Sequence, residues 1–154
     1  MPKTSTKENK NIYQVARENA KFTRDGVEEI TNGKLTSSRI EKIENGSSVA
    51  RPEEVTWMAE TYNDPKLCNY YCTRECKIGE KYVPKVETIH DLPQITITLL
   101  SNLNALNHDK DRLIDIAADG QITEDELMDF NLFRKHLDEM SLAIETLKLW
   151  ADKH

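Results

Sequence analysis

Three short stretches of the chain set side chains at spacings that could do chemistry. The first, TSSRIEKIENG at 36–46, places Ser37, Ser38, Arg39 and Lys42 within six residues. Ser and Lys are residue types that read nucleic acid, because hydroxyls donate or accept and an ammonium suits guanine acceptors. The second stretch carries Cys68, Cys72 and Cys76, whose spacing of four aligns three thiols on one face of a continuous helix. Such thiolates could hold Zn²⁺ with His90 as a fourth ligand. The third, DIAADGQITEDE at 115–126, imitates a calcium loop, with Asp115, Asp119, Gly120 and Glu126 at fitting offsets.

The last two stretches have simpler readings. Zinc sites favour tighter Cys-x-x-Cys pairs in turns, and cysteine is among the most buried residue types, so the three thiols are read as core residues. Metal binding and redox sensing are the alternatives. In the calcium-like loop, Ala117 stands where a ligand is needed, and Ile114, Ile116 and Ala117 suit a preceding helix. Gly120 then reads as a helix stop, and Thr123-x-x-Glu126 as a capping box for the next helix. No metal or other cofactor is expected. There is no Gly-rich phosphate loop and no nucleophile motif, and His90, His108, His136 and His154 are scattered. The chain is therefore expected not to be an enzyme, and no small-molecule substrate is identifiable.

Nucleic-acid reading meets an objection in the charge. The 154 residues have a formal net charge of −6, a charged fraction of 31% and a mean hydropathy of −0.67. The charge is unevenly placed, however. Residues 1–50 hold nine Lys/Arg against seven acids, and the rest hold twelve against twenty. The acidity belongs to the C-terminal two-thirds, which leaves the first third able to face a polyanion. No apolar run approaches the roughly 18–20 residues of a membrane span. MPKTSTKENKNIYQ lacks the apolar core of a signal peptide. Clustered, odd-numbered cysteines argue against a disulfide framework. A cytoplasmic protein without membrane association is expected.

The elements that must position these residues are helices throughout. Residues 1–10 are polar and expected to be disordered. Asn11 can cap a first helix with Ile12, Val15, Ala16 and Ala20 on one stripe, and Thr23 a second carrying Val27 and Ile30 that ends at Asn32-Gly33. Thr36 caps a third helix, with Ile40 and Ile43 inward. Pro52 suits the first turn of a fourth, with Val55, Met58, Ala59 and Tyr62 inward. LCNYYCTREC continues as a helix after Pro65. Residues 11–75 thus form a compact unit of four or five short helices, and 76–93, with Gly79, Pro84 and Pro93, a linker. Beyond it, Leu99, Leu103, Leu106, Lys110, Leu113 and Ala117 recur at alternating fours and threes. Phe130, Phe133, Leu137, Met140, Ile144, Leu147 and Ala151 do the same. The fold class is all-α, with 94–152 an antiparallel helical hairpin. Its uncovered apolar seam points to self-association, making a homodimer the expected state.

With the elements in place, residues 11–63 resemble the Cro/repressor-type helix-turn-helix proteins, carried by TRDGVEEI, TSSRIEKIENG and PEEVTWMAETY. TNGKL makes the inter-helix turn about two residues longer than is usual there. The resemblance implies binding of double-stranded DNA and transcriptional regulation. Ser37, Ser38 and Lys42 then fall at base-contacting positions, and Thr23 and Arg24 at phosphate-contacting ones. It also implies that Glu44 is buried against Arg17 of the first helix; solvated glutamates are the alternative. Independently, about 100° per residue turns Ser38, Glu41, Lys42 and Asn45 away from Ile40 and Ile43, with Ser37 and Arg39 as flanks. The competing functional expectation is a protein-interaction module that keeps the fold, such as an antitoxin or an assembly scaffold.

Overall fold

Caps decide where the first helices begin. In the computed structural model, which describes residues 9–154, Asn11, Thr23 and Thr36 each accept a backbone N–H from the third residue onward. They open α1 (Ile12–Asn19), α2 (Arg24–Ile30) and α3 (Ser37–Glu44). Each side chain satisfies a donor that the helix itself leaves unpaired. Pro52 starts α4 (Pro52–Tyr62), and α5 (Lys66–Arg74) follows across Asn63, whose φ of 51° reverses the chain. The disorder expected over 1–10 falls, for 1–8, outside the described residues. Lys10 itself is placed, its Nζ 2.6 Å from Glu18 Oε2.

One core joins these helices. Val27, Leu35, Ile40, Val55, Met58 and Leu67 are all fully buried, with Tyr13, Ile43 and Tyr62 around them. Burying side chains of this size stabilises by roughly 1.5–3 kcal/mol each before entropy is counted. The turn between α2 and α3 is built to feed Leu35 into that core. Asn32 and Gly33 take φ of 51° and 76°. Thr31 Oγ1 donates to Val27 O at 2.8 Å and accepts the Leu35 N–H at 3.2 Å. The lengthened turn is therefore pinned to the end of α2.

Two expectations for the following stretch are corrected. The linker expected over 76–93 is helical in its first part, as α6 (Lys77–Tyr82). Gly79, which reads as a breaker, instead permits close packing: a Cβ there would meet Cys72 O at 2.2 Å. The cysteines are half-buried; Cys68 packs against the edge of the core. α5 turns Leu67, Asn69 and Thr73 into full cover, which leaves Cys68 and Cys72 on the border of that face. Cys76 lies beyond the helix, its Sγ accepting Gly79 N–H at 3.5 Å as the cap of α6.

The second compact unit runs from Pro84 and holds α7 (Leu92–Ala117) and α8 (Leu127–Lys153). They form an antiparallel pair, Arg112 Nε meeting Asp129 Oδ2 at 2.7 Å near the turn. Asp91 caps α7 and begins it two residues before the expected start. The apolar stripes are rotated from those the heptads suggest. On α7 the covered positions are Ile95, Leu99, Asn102, Ala105, Leu106, Asp109, Leu113 and Ile116, while Leu103, Lys110 and Ala117 face out. On α8, His136 and Ala143 turn inward, while Leu137, Ile144 and Ala151 are exposed. The reason is that both helices carry apolar residues on more than one face, so spacing alone does not choose between them. A polar pair does: His136 Nδ1 lies 2.6 Å from Asp109 Oδ2 across the seam. The capping box is also altered. Thr123 N–H and Oγ1 both donate to Glu126 Oε2, at 3.0 and 2.9 Å, and α8 starts only after Glu126.

The hydrogen bond from His136, aided by one from His108, holds the Asp109 carboxyl below its ordinary range. A depressed folded-state value stabilises above the unfolded pKa of about 3.9, and that contribution disappears as pH falls through the folded value. Asp109→Asn is expected to flatten the acid limb of hairpin unfolding below about pH 4. Circular dichroism at a series of pH values reads this; an acid limb as steep as that of the unsubstituted chain refutes it.

Candidate nucleic-acid interface

The candidate site is the outer face of α3, and its geometry depends on what holds the helix. Ile40 and Ile43 anchor the inner side in the core. At the N-terminal end Thr36 Oγ1 accepts Arg39 N–H at 3.2 Å, and Glu28 of α2 accepts Ser37 N–H at 2.7 Å. A carboxylate at this end suits the helix dipole. At the C-terminal end Asn11 Nδ2 donates to Ile43 O at 2.7 Å, tying the start of α1 to the last turn of α3.

The strongest bond network centres on Glu44. Arg17 donates from Nε and Nη2 to Glu44 Oε1 and Oε2 at 2.6 and 3.0 Å, a bidentate pair. Arg17 Nη1 also reaches Phe22 O at 2.8 Å. The Glu44 side chain is 0% exposed and that of Arg17 is 9%. Burial opposes the Arg17 charge, but the hydrogen bonds and charge of Glu44 outweigh it, and the guanidinium pKa lies above its ordinary value. A second arginine joins: Arg24 Nε donates to Glu44 Oε2 at 2.9 Å, and Nη1 to Glu41 Oε1 at 3.3 Å.

The structure therefore sorts the candidate residues. Ser38, Glu41, Lys42 and Asn45 lie exposed along one face of α3. Ser37 is half-buried. Thr23 is exposed, its hydroxyl accepting Gly26 N–H at 3.1 Å. Arg24 is bound to Glu44 and Glu41, with 29% of its side chain exposed. Arg39, a flanking candidate for DNA contact, is instead drawn back to α4. Its Nε and Nη2 meet both Glu54 oxygens at 2.7 Å, Nη2 meets Val49 O at 2.9 Å, and Nη1 meets Ser48 Oγ. Hydrogen bonding to Arg39 holds the Glu54 carboxyl below its ordinary range. Glu54 also accepts Arg51 N–H at 2.8 Å, so one carboxylate caps α4 and clamps α3.

Sequence reasoning missed Glu28 and Glu54. Glu54 stands at the third position of a helix begun by Pro52, where acids cap, but nothing local marks Arg39 as its partner. Glu28 carries no such signal. The other two stretches of reactive residues do not assemble. Asp115–Ala117 belong to α7, and Asp119 Oδ1 accepts Gln121 N–H at 3.0 Å. Among the described residues, no group of three or more His, Cys, Asp or Glu is placed to hold a metal ion. Nor is any helix long and apolar enough to cross a membrane.

Glu44→Gln is expected to lower the stability of the N-terminal unit by about 3–5 kcal/mol, because Arg17 is left buried without a counter-charge. Arg24→Met is expected to cost about 1 kcal/mol or less, since Glu44 keeps its bidentate partner. Urea unfolding of the two variants measures the difference, and equal losses refute the ranking. Compared with models of known protein families, with curated proteins and with solved structures, the chain matches none.

Proposed function

We propose that the protein is a sequence-specific DNA-binding regulator of the Cro/repressor type, acting in the cytoplasm as a homodimer with α3 in the major groove of double-stranded DNA. The observation that carries this reading is the outer face of α3. It presents Ser38 and Lys42 to solvent while Glu44, Arg39 and Asn11 fix the helix on its other sides. A rigidly held helix with outward hydroxyl and ammonium groups suits readout of base edges. Charge supports it too. The first 83 residues carry fourteen Lys/Arg against thirteen acids, and the rest carry seven against fourteen. Arg39 takes no part in this reading. Arg24 contacts a phosphate only by exchanging Glu41 for it while its Nε stays on Glu44.

Lys42→Ala is expected to relax preference at one base position, at about 1–3 kcal/mol, and leave the others unchanged. Selection from a random duplex pool, followed by titration of the enriched sites, measures this. If no sequence is enriched at low salt, the reading fails and a protein-docking role for the same face replaces it.

Dimerisation is assigned to the outer side of the hairpin. Ile97, Leu100, Leu103, Ile114, Met128 and Leu132 are between 48% and 80% exposed, and two such hairpins can close a four-helix bundle. Light scattering at tens of micromolar is expected to give twice the chain mass, and Leu100→Asp with Leu103→Asp to give a monomer. A monomeric parent chain at that concentration refutes the assignment.

A further inference from the structure

The second unit contains a cavity of about 430 Å³ between the segment 85–90 and the facing sides of α7 and α8. Its floor is apolar, since Val86, Ile95 and Ala143 are all buried. Its walls are polar and include two carboxylates, Glu87 and Glu139. Thr98 and Thr146 donate their hydroxyl protons to Gln94 O and Leu142 O, at 3.0 and 2.7 Å. Their oxygens are left with lone pairs for a donor. Glu139 adds a carboxylate, which Lys135 approaches only to 3.7 Å. Asn102 is the most telling residue. It occupies a covered seam position between Leu99 and Leu106, where an apolar side chain would pack. Asn102 lines the cavity, and its side-chain amide has no hydrogen bond among the described residues. The other inward polar residue of α7, Asp109, has its partner in His136.

We propose that this cavity binds a small molecule carrying a primary ammonium group on a short apolar body. The volume lies within the ~300–1,000 Å³ common for ligand sites, and an apolar floor with a few convergent polar groups is their usual make-up. An ammonium has three donors and no acceptor. Glu139, the Asn102 carbonyl and the threonine oxygens complement it, while Val86, Ile95 and Ala143 take the hydrocarbon. An anion fits poorly: it meets Glu139, and the lysine on the wall, Lys85, is paired with Glu87, so that those two charges offset each other.

The test titrates the full chain with hexylammonium, hexanol and hexanoate, following the backbone amide resonances of Ile95, Asn102 and Ala143. Hexylammonium is expected to shift them saturably and to bind about tenfold more tightly than hexanol, with hexanoate giving no saturable shift. Glu139→Gln is expected to bring the ammonium down to the level of the alcohol. Asn102→Leu is expected to weaken the ammonium without lowering the melting temperature of the unliganded chain, because Leu suits that seam position. Absence of a saturable shift with hexylammonium, equal binding of all three probes, or unchanged ammonium affinity in Glu139→Gln overturns the proposal. No DNA is present, so the outcome is independent of whether α3 reads a duplex.

Discussion

A single buried carboxylate organises the N-terminal unit. Glu44 has no exposed side-chain surface, and an isolated carboxylate in that position would be prohibitively costly. Its charge is tolerable because Arg17 of α1 grips it with two donors and Arg24 of α2 adds a third. Three helices are thereby fixed to one point at the end of α3. Apolar packing through Ile40 and Ile43 is non-directional and would accept small rotations of the helix. The bidentate geometry accepts much less, so the ion pairs set which residues of α3 face outward.

The hairpin solves a similar problem with weaker means. α7 and α8 each present apolar residues on more than one side, and a Leu-rich seam alone would be satisfied in more than one rotation. The Asp109–His136 bond distinguishes them, because any other rotation of either helix separates the two groups. A polar pair inside an apolar seam gives up some burial in exchange for a defined register, a use of buried polar groups well attested in coiled coils.

Much of the fold was legible where local rules dominate. Asn11, Thr23 and Thr36 mark helix starts because capping depends on the three residues that follow, and the apolar spacing in α3 and α4 identifies the core side directly. The rest depends on partners distant in sequence. Arg39 looks like a cation on a binding face until Glu54, fifteen residues on, is seen to hold two of its three nitrogens. Gly79 looks like a helix breaker until the backbone of Cys72 is found where its side chain would be. Hydrophobic spacing sets the hairpin stripes one position off at several turns because it is indifferent to a histidine and an aspartate that pair across the seam. The outward residues Ser38 and Lys42 were legible because Ile40 and Ile43 mark the inner side of α3 in the sequence, and the ion pairs on Glu44 then hold the helix at that rotation.

The division of labour on α3 bears on how such a protein changes over generations. The residues that hold the helix, Arg39 and Glu44, are bound to neighbouring helices, whereas Ser38 and Lys42 project into solvent. Substitutions at these two positions disturb neither the core nor the clamps, so they are close to neutral for folding. The chemistry of the α3 face can therefore be changed through a few point mutations while the scaffold is inherited unchanged.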